Sequence, residues 1–218
     1  MIEIAIALCI IGFALVAIIG VLPAGMNVQR ETHQDTAIGQ DGDFFLQAIC
    51  NGGPPLGPGT STSLDFLTNY VESIAVGANT YNNNRLTNGQ VILGLLTTPT
   101  TLGNVTARIR SLTGAATEQN GSNAATAFRY YMNVEVEPFI TPSPPSIDFN
   151  YNNNESNYLA SYLYEVRLKF SWPVLNALTG RVGPGRQTYR SLVSGYLLPY
   201  TNSAPTLWFF QPNTYTNL

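Results

Sequence analysis

The sequence predicts an α+β fold in which a long N-terminal hydrophobic helix packs on a C-terminal antiparallel β-sheet. The first observation is a stretch from Ile4 to Leu22 in which almost every residue is apolar. The second is that apolar residues recur at roughly helical spacing from residue 26 to 50. The third is that later segments alternate apolar and charged residues with a period of two, as half-buried strands do. We therefore place the helix at residues 1–50 and a β-rich globular head at residues 51–218.

Composition narrows the functional classes that the chain can belong to. A chain of 218 residues is long enough for one domain with a core and one appended element. Charged residues make up 11% of it, against about 25% in typical soluble domains. The net charge is −3 and the ten basic residues are scattered, so we expect no nucleic-acid partner.

The N-terminal segment has the length of a membrane span. No charged residue occurs from Ile4 to Gln29, and the most apolar part, about 19 residues, would form a helix about 29 Å long. A secretory signal peptide would carry basic residues ahead of the apolar stretch, whereas here the preceding residue is Glu3 and the first basic residue is Arg30. An ordinary anchor explains the hydrophobicity but not the carboxylate at its edge.

The stretch MIEIAIALCIIGFALVAIIGVLP resembles the start of mature type IV pilins and pseudopilins, which begin FTLIE before an apolar helix. Met1-Ile2-Glu3 aligns with the L-I-E part, Gly12 with the family's helix glycine nine positions after the acid, and Pro23 with its proline. The resemblance covers roughly residues 1–50. The family's short basic leader would lie upstream of Met1, so the sequence is expected to correspond to the processed form or to a start set slightly late.

The resemblance implies roles for particular residues. Glu3 would pair with the N-terminal amine of a neighbouring subunit and so set the register of assembly, although a carboxylate there also suits the helix dipole. Gly12 would serve helix packing. We expect the helix to be broken near Gly20, Pro23 and Gly25, either as a stretch that extends during assembly or as a kink where the span ends.

The resemblance also implies a function. The chain would be a structural subunit of a type IV pilus-like filament, anchored in the inner membrane before assembly and polymerised through its N-terminal helix into a cell-surface or extracellular filament. Its partners would be further copies of itself, the inner membrane and the assembly machinery. Two alternatives stay open, a minor pseudopilin of a periplasmic type II secretion pseudopilus and a membrane-anchored surface-binding module.

The rest of the chain yields segment predictions. The Gly- and Pro-rich run from Cys50 to Thr60 is interpreted as a linker that ends the helix. A short helix is predicted at about 64–76, with Ser63 as its N-cap. Strands are predicted at 91–96, 104–112, 130–137, 164–170 and 188–197. If the third and fourth are neighbours, Glu135 and Glu137 face Arg167 and Lys169.

Nothing in the sequence indicates catalysis, a metal or a cofactor. The one histidine, His33, falls in the predicted helix and is interpreted as a surface residue without the further ligands that a metal needs. The oxygen-rich stretch 148–155 lacks two features of a calcium loop and is interpreted as an Asn-rich turn. Cys9 and Cys50 would lie about 60 Å apart if one helix joins them, so we expect no disulfide between them, and Cys50 would be either free or bridged to another chain. The aromatic run Trp208–Phe210 is interpreted either as core or as a contact between subunits.

Overall fold

The computed structural model describes residues 2–52, 63–82, 84–112, 128–139, 160–176, 179–201 and 205–211. It has two α-helices and eight strands within these ranges, and the α+β fold that the sequence predicts is confirmed. The elements are α1 (Ile2–Asn51), β1 (Val71–Val76), β2 (Asn79–Asn82), α2 (Gly89–Leu96), β3 (Val105–Arg110), β4 (Arg129–Pro138), β5 (Leu163–Asn176), β6 (Arg181–Ser194), β7 (Tyr196–Tyr200) and β8 (Leu207–Gln211). The predicted linker from residue 53 onward and the turn at 148–155 lie outside the described residues.

The long helix α1 is helical over all of its 50 residues, so no locally unwound stretch lies near Gly20, Pro23 and Gly25, whereas a kink there stays a prediction. Proline removes one backbone hydrogen bond and crowds the preceding turn. An apolar segment tolerates that loss because any further unwinding would leave more backbone N–H and C=O groups without partners. The backbone therefore stays helical where propensity alone predicts a weak point.

The end of α1 is set by Gly52. This residue has φ +61°, in the left-handed region that glycine adopts without strain, and its N–H donates to the carbonyl of Ile49 at 3.2 Å. A Cβ atom built on Gly52 would lie 2.0 Å from the carbonyl oxygen of Phe210 in β8. Both the turn and the close approach of the two backbones therefore require glycine here.

Six strands form one antiparallel sheet in the order β2-β1-β3-β4-β5-β6, and β7 pairs with β8 in a separate hairpin. The predicted strands at 104–112, 130–137 and 164–170 are confirmed as β3, β4 and β5. Alternate residues of β4 are fully buried, among them Tyr130 and Met132, while their neighbours point to the opposite face. The predicted strand at 188–197 is in fact the end of β6 and the start of β7, separated by Gly195.

The chain divides into two units, Met1–Gly39 and Gln40–Leu218, called here the N-terminal and C-terminal units. The division falls inside α1, so the last turns of this helix belong to the C-terminal unit. There, a Cβ atom on Gly42 would touch the Tyr189 ring of β6, and Phe44 contacts Phe66 at 5.6 Å between ring centroids. One face of the sheet is therefore covered in part by these turns.

The helix α2 packs against β8, β1 and β3 and is buried along its whole length. The sequence predicts a strand at 91–96, and that prediction is wrong. A helix buried on all sides has no polar face, so its apolar run cannot be told from a buried strand by periodicity. The deciding signal is local, because the Asn88 side chain caps the helix by accepting a hydrogen bond from the Val91 N–H at 2.8 Å.

The predicted helix at 64–76 is also wrong for most of its length. A short 3₁₀ turn occupies Asp65–Asn69, and β1 follows it. Val71 and Ile74 are both buried although they are three residues apart, because the register between β1 and β3 shifts between Val71 and Ser73. A bulge of this kind places i and i+3 on one face and so imitates helical spacing.

The outer face of the sheet carries ion pairs between neighbouring strands. Glu135 lies opposite Arg167, and Lys169 Nζ lies 2.5 Å from Glu135 Oε1. Arg167 also lies 3.8 Å from Glu137, which confirms the predicted cross-strand charge pairing. Each such exposed pair contributes less than about 1 kcal/mol.

Glu165 is the most shielded carboxylate of this outer face. Its Oε2 accepts a hydrogen bond from Arg167 Nη2 at 2.6 Å, and its Oε1 accepts one from Arg190 Nε at 2.6 Å. The hydrogen bond from Arg167, and then that from Arg190, lower the pKa of Glu165 from 4.5 to about 2, although burial opposes the shift. The folded chain therefore holds this carboxylate ionised at a pH where the unfolded chain protonates it.

This depressed pKa predicts a specific loss of stability in acid. Between pH 4.5 and about 2 the unfolded chain binds the proton more tightly than the folded chain, so the contribution of Glu165 is lost as the pH falls through this window. Urea unfolding of the wild type and of Glu165→Gln should give midpoints that differ most above pH 4.5 and converge towards pH 2. A difference that stays constant over this range would contradict the assignment, and Glu137→Gln, on the same face, is the matched control.

Candidate assembly site on the long helix

The N-terminal part of α1 presents large apolar side chains that nothing in the described chain covers. Fifteen of them lie between residues 2 and 28, and each is at least 54% exposed. They are Ile2, Ile4, Ile6, Leu8, Ile10, Ile11, Phe13, Leu15, Val16, Ile18, Ile19, Val21, Leu22, Met26 and Val28. Soluble monomers rarely expose a continuous apolar surface of this extent, so it indicates contact with lipid or with other chains.

These side chains surround the helix rather than forming one stripe. Neighbouring pairs such as Ile10 and Ile11, and Ile18 and Ile19, project about 100° apart and are all exposed. The most apolar 18-residue window has a mean hydropathy of 3.0 and is not buried at all within the chain. A helix that is apolar on all sides belongs in a bilayer or inside a larger assembly, and α1 is long and apolar enough to cross a membrane.

Glu3 lies in the first turn of α1 and is exposed. Its carboxylate suits the positive end of the helix dipole there. Arg30 is the next charged residue along α1. It lies 27 residues after Glu3, which in a helix is about 40 Å. This distance is close to the full thickness of a bilayer with its head groups. The uncharged part of α1 is thus bounded by a carboxylate at one end and a guanidinium at the other.

Three glycines in this part of α1 make no close packing contact with the rest of the described chain. A Cβ atom built on Gly12, Gly20 or Gly25 meets no other atom within 4 Å. Each glycine nevertheless weakens a helix by about 1 kcal/mol relative to alanine. By contrast, a Cβ atom on Gly94 of α2 would lie 2.7 Å from the Leu207 Cβ, so that glycine is required by packing. No packing contact among the described residues therefore requires glycine at the first three positions.

The last turns of α1 are held by a buried carboxylate. Asp41 is fully buried, and its Oδ2 accepts hydrogen bonds from Tyr130 Oη at 2.9 Å, Ser111 Oγ at 3.2 Å and the Leu112 N–H at 3.0 Å. Burial raises the pKa of Tyr130 well above its usual value, and the charge of Asp41 acts in the same direction. Tyr130 therefore remains a hydrogen-bond donor to Asp41 over the whole physiological range.

No role is predicted for Asp41 from the sequence, although the residues around it indicate a buried acid. It shares one helix face with Ile38, Phe45 and Ile49, all of which are fully buried. An acid inside an apolar stripe is not a solvated residue, and it predicts a buried partner. Reading the segment only as alternating polar and apolar residues hides this signal.

The other residues to which the sequence analysis assigns an environment lie in different parts of the structure. His33 is exposed on α1, as predicted for a surface residue. Cys9 and Cys50 are both free, and burial raises the pKa of the half-buried Cys50 thiol. Phe209 and Phe210 are buried, which favours the core interpretation of the aromatic run. Within the described part of the chain, no three His, Cys, Asp or Glu side chains converge on a point where a metal could bind.

No protein-family model, curated protein or solved structure matches this chain. Among the described residues, the two parts of α1 differ in their surroundings: one is apolar and uncovered, and the other is held by Asp41. This combination can attach the chain through α1 to an apolar environment while the sheet domain stays folded in water.

Replacing the Asp41 carboxylate should destabilise the C-terminal unit. We expect Asp41→Asn to lower the free energy of unfolding by about 1–3 kcal/mol, because all three donors bond to the single oxygen Oδ2 and a neutral amide oxygen accepts weaker hydrogen bonds than a charged carboxylate oxygen does. The fluorescence of Trp172, which is 5% exposed, reports unfolding in urea for the full chain in detergent. Asp43→Asn, an exposed neighbour on α1, is the control and should change the midpoint little. Equal effects of the two variants would contradict the role of Asp41.

Proposed function

We propose that this chain is the structural subunit of a type IV pilus-like filament, anchored in the inner membrane by α1 before assembly and polymerised through the same helix. The observation that carries the proposal is the apolar surface of α1 between residues 2 and 28, which the described residues leave uncovered on all sides. A bilayer covers this surface before assembly, and the same surfaces of neighbouring copies cover it afterwards.

The energetics suit a transfer between two apolar environments. Fully burying a large apolar side chain contributes about 1.5–3 kcal/mol, so fifteen of them contribute on the order of tens of kcal/mol. This part of α1 is therefore not stable when it is exposed to water. Moving from lipid to a bundle of helices changes the free energy of apolar burial little. Packing and polar contacts between the helices therefore decide whether the subunit assembles.

Glu3 supplies the polar contact that such a bundle needs. A carboxylate among apolar helices is tolerated only when an opposite charge compensates it. In the proposed filament the N-terminal amine of a neighbouring copy does so, and a shift of one helix along the other would separate the pair. Glu3 is thus the residue that sets the axial register, and Gly12 is the residue that permits close approach of the helices.

The proposal also assigns partners and a place. The inner membrane holds the subunit first, pilus-type assembly machinery extracts it, and further copies of the chain then surround α1 in a cell-surface or extracellular filament. The role is structural rather than enzymatic, since the residues proposed to act do so by packing and charge pairing.

Replacing Glu3 tests the proposal directly. We expect Glu3→Ala to insert into membranes as well as the wild type does, because the apolar span is unchanged, and to yield at least about tenfold less filament in a sheared surface fraction examined by electron microscopy. Glu137→Ala, which removes an exposed carboxylate of the outer sheet face, is the control and should assemble normally. Normal filaments from Glu3→Ala would exclude the register role. A wild-type chain that stays in the membrane and never forms filaments would favour a membrane-anchored module instead.

Substitutions at Gly12 test the role of the uncovered glycines. Gly12→Ala should leave the C-terminal unit as stable as before and strengthen α1 by up to about 1 kcal/mol, since nothing lies within 4 Å of the added methyl group. Filament yield should nevertheless fall, and fall further in Gly12→Leu, because larger side chains keep neighbouring helices apart. Thermal unfolding and the sheared yield of the same preparations separate the two effects. Undiminished assembly of Gly12→Leu would show that no helix packs closely at this position.

A further inference from the structure

The last strand of the six-stranded sheet, β6, has a long edge that no described strand covers. It is 14 residues long and pairs with β5 on one side only. The strand at the opposite edge of the sheet, β2, has four residues. Unpaired edge strands attract further strands, and a very short edge strand is one way in which proteins avoid this. Of the two edges, β6 is therefore the one that can accept an added strand.

Regular pairing extends over residues 186–194 of β6. The register between β5 and β6 shifts only nearer the start of β6, between its residues 181 and 185. Pro184 lies in the same irregular part. Prolines and bulges obstruct the addition of a further strand. Residues 186–194 contain neither, so nothing in their backbone opposes it.

The backbone groups that face the free edge follow from the pairing with β5. The Gly195 N–H donates to the Tyr162 carbonyl at 2.8 Å, so these two residues form a hydrogen-bonded pair. Hydrogen-bonded and non-hydrogen-bonded pairs alternate along an antiparallel ladder. The odd-numbered residues from 187 to 193 therefore bond to β5. The even-numbered residues direct their N–H and C=O groups to the free edge, and these residues are Arg186, Thr188, Arg190 and Leu192.

The side chains of these four residues lie on the outer sheet face and are accessible. Arg186, Thr188 and Arg190 are exposed, and Leu192 is 54% exposed. Tyr189, between them, belongs to the opposite face of the sheet. A strand added at the free edge therefore places every second one of its side chains beside these four.

One end of the free edge offers an arginine that no described acid neutralises. Arg186 donates to the carbonyls of Gly183 and Gly185 at 2.6 Å, and no described carboxylate forms an ion pair with it. Arg190, by contrast, is paired with Glu165. A carboxylate on an added strand can therefore pair with Arg186 without displacing another acid.

The other end of the free edge is apolar. Leu192 is diagonal to Leu163 of β5, which lies opposite Ser194. Phe139, just after β4, donates its N–H to the Leu163 carbonyl and is 51% exposed. These three apolar residues, Leu192, Leu163 and Phe139, are called here the apolar corner. Six residues of strand, about 20 Å, separate it from Arg186.

The charges of β6 also bear on which strand is added. The strand carries three arginines and no acid. An antiparallel pair of two β6 strands over residues 186–192 brings no carboxylate to Arg186. It also places Arg190 of each copy about 7–8 Å from Arg186 of the other, as a diagonal neighbour. The edge therefore disfavours a second β6 and favours a strand that carries an acid.

We infer that the free edge of β6 binds an extended peptide segment of a partner protein as an added antiparallel strand, with an apolar side chain beside Leu192 and a carboxylate beside Arg186. Main-chain hydrogen bonds supply the affinity of such a contact, and alternate side chains supply its specificity. Because the two strands run in opposite directions, the apolar residue comes first in the partner and the carboxylate six residues later. The inference does not depend on the proposed filament, since no residue of α1 takes part.

A short peptide with this spacing tests the inference. The probe is KLVTVTVEK with a fluorescent label at its N-terminus, and its binding to the full-length chain in detergent is measured by anisotropy. Replacing its glutamate with lysine should weaken binding at least about fivefold. Methylating the backbone nitrogens of its two threonines, which donate to β6, should abolish binding. Methylating those of its last two valines, which face solvent, should leave binding nearly unchanged and is the matched control.

Variants of β6 test the same contact from the side of the protein. Arg186→Glu should weaken binding of the probe at least about fivefold, and Leu192→Thr about threefold. Thr188→Pro removes an N–H that β5 does not use, so it should abolish binding while the urea midpoint changes little. Arg85→Glu replaces an exposed arginine outside β6 and is the control.

Hydrogen exchange locates the bound peptide. In the complex, the amides of Thr188, Arg190 and Leu192 should exchange at least about tenfold more slowly than in the free chain, as measured by NMR. The amides of Gln187 and Tyr189 already bond to β5 and should change little.

Three outcomes would overturn the inference. If the probe does not bind, or both methylated peptides bind equally, no strand is added. If Arg186→Glu behaves like Arg85→Glu, the carboxylate does not lie beside Arg186. If the three edge amides exchange slowly without the probe, the edge is already occupied, by a second copy where the rate depends on protein concentration and otherwise by the chain itself. None of these outcomes bears on filament formation, and a wild-type chain that forms no filament can still bind the probe.

Discussion

The hydrogen bonds to the buried carboxylate of Asp41 are the constraint on which the rest of the C-terminal unit depends. Apolar contacts alone would allow the last turns of α1 to rotate or slide over the sheet, because the hydrophobic effect has no direction. A buried carboxylate allows neither motion, since losing its donors costs several kcal/mol. With Tyr130 and Ser111 as fixed donors, Phe45 and Ile49 must face inward. One acid in an apolar stripe thereby sets the rotation of the helix.

The two parts of α1 differ in composition because they face different surroundings. From residue 40 onward it needs one apolar face, and it has polar residues elsewhere because water surrounds its other side. Between residues 4 and 22 it is almost entirely apolar, which is stable only away from water. The apolar part also contains three glycines with open space around them, Gly12, Gly20 and Gly25. Each lowers the stability of the isolated helix, and close packing of another surface against it can offset that loss.

The sequence predicted those elements whose two sides face different environments. In β4 and β5 one face is apolar and the other charged, so a period of two was visible and even the pairing of Glu135 with Lys169 followed. The prediction failed for α2, where all sides are buried and periodicity disappears, and for β1, where a bulge after Val71 imitates a helix. Intrinsic propensity also overestimates unwinding near Pro23, because it does not weigh the cost of unpaired backbone groups.

For the candidate site, the sequence is informative where a role follows from local composition, but it does not identify partners that lie far along the chain. Glu3 stands out because an acid heads an uncharged span. The apolar stripe around Asp41 indicates a buried acid, whereas its donors lie 70 or more positions away and cannot be named from the sequence. The scarcity of charge explains why this matters. With 11% charged residues, each ion pair carries a large part of the chain's electrostatic field.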